Sequence, residues 1–77
     1  MMKKFALNID NTHLYLETDE GKTYVHNLSE FPVLACATKV QRENFSLSPF
    51  GVHWPDIDED LSFEGLISTG HLVVKTA

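Results

Sequence analysis

Several features common in other classes of protein are scarce in this sequence. It has one cysteine, Cys36, so it cannot form an internal disulfide, whereas small secreted domains usually carry several cysteines. No stretch approaches the roughly 20 apolar residues of a membrane helix. The residues that follow the two opening methionines are too few and too polar for the core of a signal peptide. We therefore expect a cytoplasmic protein that makes no membrane contact.

Basic side chains are also few. Six Lys and Arg stand against eleven Asp and Glu, which gives a formal net charge of -5, and the basic residues are scattered along the chain. Such a chain repels a phosphate backbone, so no direct nucleic-acid binding is expected. The four glycines are isolated from one another, which excludes a phosphate-cradling loop and a dinucleotide fingerprint. No cofactor is predicted.

What is present suits a small globular protein. The 77 residues, 43% of them hydrophobic, have room for one compact core, so we expect a single domain over residues 1–77. A chain this short buries a smaller fraction of its surface than a larger domain does, and its margin of stability is thin. Association with another small protein, or with a second copy of the chain, would add to that margin.

Alternating hydrophobicity predicts an antiparallel meander at the N-terminus. Residues 5–9 and 14–17 alternate apolar with polar side chains, and Asp10-Asn11 between them suits a two-residue hairpin turn. That loop length places Leu7 opposite Leu14 and puts the apolar residues of both strands on one face. The meander should therefore have one buried side.

A second two-residue loop, at Glu20-Gly21, predicts the third strand of the meander. It sets Val25 opposite Leu16 on the buried face. The other face then gathers three polar aromatic side chains, which either stabilise the sheet as ordinary cross-strand pairs or contact a partner, since tyrosine is enriched at protein interfaces. These candidate partner-binding residues are Tyr15, Tyr24 and His26.

Helical signals occupy the middle of the chain. Ser29 is a plausible N-cap, with Pro32 in the first turn of a short helix that runs through Ala37. Cys36 within it is predicted to be buried and inert. Residues 38–41 match a capping box, which predicts that a second helical segment begins at Thr38 and runs toward residue 44.

A second hairpin and a short helix are predicted after residue 44. Residues 45–47 and 52–54 form the hairpin around a four-residue loop, and Pro55 ends its second strand. The acidic residues 56–60 should favour the start of a helix near Ser62 through its dipole, and Arg42 is predicted to pair with one of their carboxylates. Residues 71–77 form either an edge strand or a frayed end. The elements together predict an α+β fold: a three-stranded antiparallel meander, short helices, a second short hairpin with His-Trp-Pro, and a short C-terminal helix.

The segment from Gly51 to Ser62, followed by Glu64-Gly65-Leu66, resembles the signature of a bacterial family called domain of unknown function 2442. The resemblance covers roughly residues 5–67, and it departs from the family at Phe45, where Trp is typical. Its structural signature falls on His53, Trp54, Pro55, Asp58 and Asp60. Related domains accompany small bacterial regulatory proteins or lie beside a small partner in toxin–antitoxin-like pairs. The resemblance therefore implies an antitoxin-like or regulatory half that acts through protein contacts.

Two functions from different classes follow from these observations. The first is a non-enzymatic protein-interaction module that uses the predicted face of Tyr15, Tyr24 and His26. The alternative is a small metal- or ligand-binding protein, in which the imidazole and carboxylates of His53, Asp56 and Asp58 would supply the ligands. Acid–base catalysis is not expected, because a solvated acidic loop would not separate the pKa values of an acid and a base.

Overall fold

A computed structural model describes residues 4–74 of the chain. These residues form seven strands and four short helical segments, which confirms the predicted α+β class and the N-terminal meander. Along the chain the elements are β1 (Phe5–Ile9), β2 (His13–Thr18), β3 (Lys22–Asn27), a 3₁₀ helix (Leu28–Glu30), α1 (Pro32–Ala35), α2 (Lys39–Glu43), β4 (Ser46–Leu47), β5 (Gly51–Trp54), β6 (Glu59–Ser62), α3 (Phe63–Thr69) and β7 (His71–Val74).

The strands form two antiparallel sheets. The larger sheet has the order β1-β2-β3-β7, and the smaller has the order β4-β5-β6. β7 pairs with β3, which confirms the edge-strand alternative for residues 71–74, while residues 75–77 lie outside the described residues. Among residues 4–74, no helix has the length and apolar character needed to span a membrane.

The first hairpin differs from its predicted register by two residues. Leu7 lies opposite Leu16 rather than opposite Leu14. The cause is the side chain of Asp10, whose Oδ1 accepts the N–H groups of Thr12 and His13 over 2.8 and 2.7 Å and so moves the turn one position along the chain. A shift of two leaves every side chain on its predicted face. The apolar side of β1 and β2 is therefore as predicted.

The second hairpin differs by one residue, which has a larger effect. Its loop has three residues, Asp19 to Gly21, and Gly21 takes a positive φ of 81° while its N–H donates to the Thr18 oxygen over 3.1 Å. The one-residue shift turns β3 over, so that Tyr24 lies opposite Leu16 on the buried face. The predicted pairing of Val25 with Leu16 was wrong.

The core lies between the apolar face of the larger sheet, α3 and the smaller sheet. Trp54 of β5 is fully buried at its centre. α3 contacts β3, β5 and β6, and so closes one side of the core. The buried residues form one cluster: Leu7, Leu14, Leu16, Leu28, Leu34, Val52, Trp54, Phe63 and Leu66.

The start of α1 differs from the prediction, whereas the start of α2 agrees with it. Residues 28–30 form a 3₁₀ helix, so α1 begins at Pro32 and Ser29 is not its cap. The Thr38 capping box is confirmed: the Thr38 side chain accepts the Gln41 N–H over 3.1 Å, and the Gln41 side chain accepts the Thr38 N–H over 3.0 Å.

Two side-chain predictions in this region were wrong. Arg42 does not pair with the acidic residues in the described part of the chain; its Nε and Nη2 donate to the carbonyl oxygens of Leu34 and Ala35 over 3.0 and 3.2 Å. Those carbonyls end α1 and need donors, which a guanidinium supplies. Cys36 is exposed rather than buried, because α1 already ends at Ala35 and only Leu34 of that helix faces the core.

The region after β5 contains a strand that the sequence pattern did not predict. The predicted hairpin is confirmed, with Leu47 opposite Val52, but residues 59–62 continue into β6 instead of leading directly into a helix. The Ser62 side chain then caps α3 by accepting the Gly65 N–H over 3.0 Å. Of the acidic residues in this region, Glu64 alone lies in the first turn of α3.

Candidate functional site

The three predicted partner-binding residues do not share a surface. Tyr24 is partly buried and packs against the core. His26 has 1% of its surface exposed, and its Nδ1 and Nε2 lie 3.2 Å from Glu30 Oε1 and 2.8 Å from the Leu66 carbonyl oxygen. Tyr15 lies on the opposite face of the sheet, where no shared contact with the other two is available. The one-residue shift of β3 separates them.

Tyr15 is held to the first hairpin turn. Its hydroxyl donates to Asp10 Oδ2 over 3.1 Å, and this hydrogen bond raises the pKa of Tyr15. The backbone N–H groups of Thr12 and then of His13 lower the pKa of Asp10 from 3.8 to about 2. Tyr15 therefore braces a turn, and its ring covers the outer face of the sheet next to His13, with ring centroids 6.0 Å apart.

The His-Trp-Pro signature lies at the end of β5. The buried Trp54 donates its indole N–H to the backbone oxygen of Arg42 over 2.9 Å, which ties β5 to α2. Pro55 is exposed and opens the turn toward β6, in which Asp58 takes a positive φ of 50°. Trp54 thus serves packing, while Pro55 and Asp58 serve the chain reversal.

His53 and the acidic residues do not converge on one point. His53 Nδ1 lies 2.7 Å from Asp60 Oδ1 across the β5–β6 pair, whereas Asp56 accepts a hydrogen bond from Asn44 Nδ2 over 2.8 Å. Among residues 4–74, no group of three or more His, Cys, Asp or Glu side chains could hold a metal ion. The alternative ligand set of His53, Asp56 and Asp58 is therefore not assembled.

An apolar groove runs between the start of β1, the β4–β5 loop and α3. Its volume is about 640 Å³. The floor is an aromatic pair: the rings of Phe5 and Phe63 stack with centroids 4.2 Å apart and planes 21° apart. The described lining residues are Phe5, Pro49, Phe50, Ser62, Phe63, Glu64, Ile67 and Ser68.

Phe50 forms one wall of this groove and projects into solvent, with 82% of its surface exposed. The Ser48 hydroxyl holds the loop in place by accepting the N–H groups of Phe50 and Gly51 over 3.3 and 3.2 Å. The Phe50 carbonyl oxygen accepts the Phe63 N–H over 2.9 Å, which fixes the loop to the start of α3. Hydrogen bonds on both sides therefore hold the backbone of Phe50, from which the exposed ring projects.

The charge near the groove is negative. Glu64 is the charged member of the described lining residues. On the other side of Phe50 lies a second hollow of about 470 Å³, which includes His53 and Asp60 in its lining. Phe50 thus stands between two hollows, each with one carboxylate. Such an arrangement can bind an apolar side chain and a neighbouring cation together.

The sequence pattern did not single out the groove. The pattern assigned Phe5 to the apolar face of a strand, Phe63 to a short helix and Phe50 to a loop. The available signal was Phe50 itself, a large aromatic between Pro49 and Gly51 in a turn where alternation assigns it no buried partner. Bringing Phe5 next to Phe63 requires contact between residues 58 positions apart, which local periodicity does not encode.

Comparison with known proteins identifies the family. The model of the family described as Protein of unknown function (DUF2442) matches residues 6–71. No curated protein and no solved structure shows significant similarity to the chain. The matched span includes most of both sheets, all three α-helices and the His53-Trp54-Pro55 segment on which the sequence resemblance rests. The chain therefore belongs to the family Protein of unknown function (DUF2442).

Proposed function

We propose that the chain is a non-enzymatic protein-interaction module that binds its partner through the apolar groove beside Phe50. The observation that carries this proposal is the exposure of Phe50, 82%, at the wall of a groove of about 640 Å³. Covering a large aromatic ring that an ordered loop exposes to water lowers the free energy of the complex. At protein interfaces a few well-packed residues, often aromatic, carry most of the binding energy.

The groove is already formed in the free chain. Its floor is the stacked pair of Phe5 and Phe63, and Phe63 is buried, so neither ring needs to reorder when a partner binds. The loop that carries Phe50 is fixed by hydrogen bonds to Ser48 and Phe63. A preformed site loses little conformational entropy on binding, which favours recognition over a flexible surface.

The finer expectation, an antitoxin-like or regulatory half of a small bacterial pair, is part of the same proposal. It is supported by the family resemblance, which associates such domains with small regulatory partners. Tyr15 stays a candidate contact on the outer face of the sheet. Tyr24 and His26 are no longer candidates, because both side chains belong to the inner face.

The experiment is a tagged pull-down from extracts of the organism that encodes the chain, with two matched variants. Phe50→Ser removes the anchor, and because the ring is exposed, the variant should fold as stably as the original chain. Val40→Ser is the control: Val40 of α2 is 73% exposed and does not line the groove. Melting temperatures of the three proteins check that both variants fold.

We expect one stoichiometric protein with the original chain and with Val40→Ser, and its loss with Phe50→Ser. If the captured protein is a small neighbour-encoded polypeptide whose toxicity is relieved by co-expression of this chain, the antitoxin-like expectation is supported. Equal capture by all three proteins would show that the groove is not the binding site. Catalytic turnover of a small molecule by the isolated chain, without its partner, would contradict the proposal that the protein is not an enzyme.

A further inference from the structure

We propose that the groove beside Phe50 receives a basic segment of a partner protein, with an apolar side chain in the groove and Lys or Arg side chains on both sides of it. This inference rests on the proposed function and names the chemistry of the partner. Two observations carry it: basic residues are absent from the part of the sequence that forms most of the groove, and carboxylates line the hollows on both sides of Phe50.

The half of the chain that forms most of the groove lacks basic residues. Residues 44–74 contain five carboxylates and no Lys or Arg, and they build the smaller sheet, α3 and β7. The described basic residues lie elsewhere in the chain: Lys4 precedes β1, Lys22 begins β3, and Lys39 and Arg42 belong to α2. Lys4 is next to Phe5 in sequence but does not line the groove. Of the Asp, Glu, Lys and Arg side chains, only Glu64 and Asp60 line the two hollows in the described part of the chain, and their charge favours a positively charged partner.

The carboxylates are placed on both sides of the anchor. Glu64 lines the groove on the α3 side of Phe50, and Asp60 lines the second hollow on its β6 side. Asp60 is exposed even though it contacts His53 at 2.7 Å. A segment that crosses over Phe50 thus passes one carboxylate before and one after its apolar contact. Complementarity requires a basic–apolar–basic order in that segment.

A second copy of the chain is disfavoured as the occupant by the same charges. Each copy has a formal net charge of -5, so two copies joined through this acidic side would repel each other. Rims of like charge oppose association at an interface. The partner is therefore expected to be a different protein, with a positive surface around its apolar anchor.

The test is selection from a random peptide library displayed on phage, with the original chain as bait and Phe50→Ser as the counter-selection bait. Peptides that bind the first protein and not the second define the ligands of the groove. We expect them to carry an apolar residue flanked by Lys or Arg on both sides. Phe50-dependent peptides that are neutral or acidic would overturn the basic-segment inference and leave the proposed function standing. No Phe50-dependent peptide at all would count against the proposed function itself.

Charge reversal then tests the role of Glu64 directly, with one selected peptide and fluorescence polarisation. Glu64→Lys should weaken binding about fivefold or more at low salt, and the loss should shrink as salt screens the charges. Glu17→Lys is the control, because it makes the same change of net charge on the outer face of β2, away from the groove. Equal losses for the two variants would show that only overall charge matters and would overturn the assigned role of Glu64.

Discussion

The Nδ1 atom of the buried His26 lies 3.2 Å from Oε1 of Glu30, so that a histidine of β3 and a carboxylate of the following 3₁₀ helix form a partly buried pair. The other ring nitrogen, Nε2, faces the carbonyl oxygen of Leu66 at 2.8 Å. The second oxygen of Glu30 accepts the Asn27 N–H over 2.9 Å. The pair therefore joins β3, the 3₁₀ helix and α3.

The first prediction is a loss of stability in acid that Glu30 controls. The hydrogen bond from His26, and then that from the Asn27 N–H, lower the pKa of Glu30 below its ordinary value of 4.5. A carboxylate whose pKa is lower in the folded chain adds stability above its unfolded pKa and loses it as the pH falls through the folded value. The free energy of unfolding should therefore fall more steeply below about pH 4.5 in the original chain than in Glu30→Gln.

Urea unfolding at a series of pH values measures this difference, and Asp10→Asn serves as its control. Asp10 stays ionised down to a lower pH than an ordinary aspartate, because its pKa is about 2 instead of 3.8. Its contribution should disappear between those two values, at lower pH than the onset of the Glu30 effect. Asn keeps an oxygen for the Thr12 and His13 N–H groups, so the turn is preserved. Parallel pH profiles for Glu30→Gln and the original chain would contradict the prediction.

The second prediction concerns the close approach of β5 and β6 at Gly51. A Cβ at this buried position would overlap with the Leu61 carbonyl oxygen and lie 3.0 Å from the Ser62 Cα. Both obstacles are backbone atoms, so relief requires the two strands to separate. We expect Gly51→Ala to lower the free energy of unfolding by about 3 kcal/mol.

Gly65→Ala provides the contrast within the same region. A Cβ there would meet only the Ser62 hydroxyl, at 2.9 Å, and a side chain can rotate away. The lost cap of about 1 kcal/mol is offset by the better helix propensity of Ala, so the net change should be within about 1 kcal/mol of zero. Thermal and urea unfolding of both variants give the comparison. Similar losses for the two would mean that the backbone contact at Gly51 is relieved without cost.

The two hairpins show how far local patterns determine this fold. In the first, the predicted and observed registers differ by two residues, and the buried face is correct because side chains alternate with a period of two. In the second, a difference of one residue places the side chains of Tyr24 and His26 on the buried face of the sheet instead of the predicted outer face. The sequence does not decide this register. Gly21 has a positive φ that suits either a two-residue or a three-residue loop, and the alternation of β3 is too weak to choose between them.

The groove shows what local patterns cannot contain. The Thr38 capping box and the hairpin with His-Trp-Pro depend on residues close in sequence, and both were predicted. β6 was missed because its acidic residues have low strand propensity, which the pairing with β5 overcomes. Without β6, the start of α3 could not be placed beside β1, and the contact of Phe5 with Phe63 had no basis in the pattern.

The third prediction separates two explanations of Arg42. If its guanidinium acts by donating to the carbonyl oxygens of Leu34 and Ala35, Arg42→Met should lower the free energy of unfolding by about 1–2 kcal/mol, because the methionine keeps the apolar stem and removes both donors. The acceptors are neutral, so this loss should be nearly the same in about 0.05 M and about 1 M NaCl. Lys39→Met, at an exposed position of the same helix, should cost much less. Urea unfolding followed by Trp54 fluorescence measures all of these values. A loss that vanishes in high salt would instead support an ion pair between Arg42 and the acidic residues.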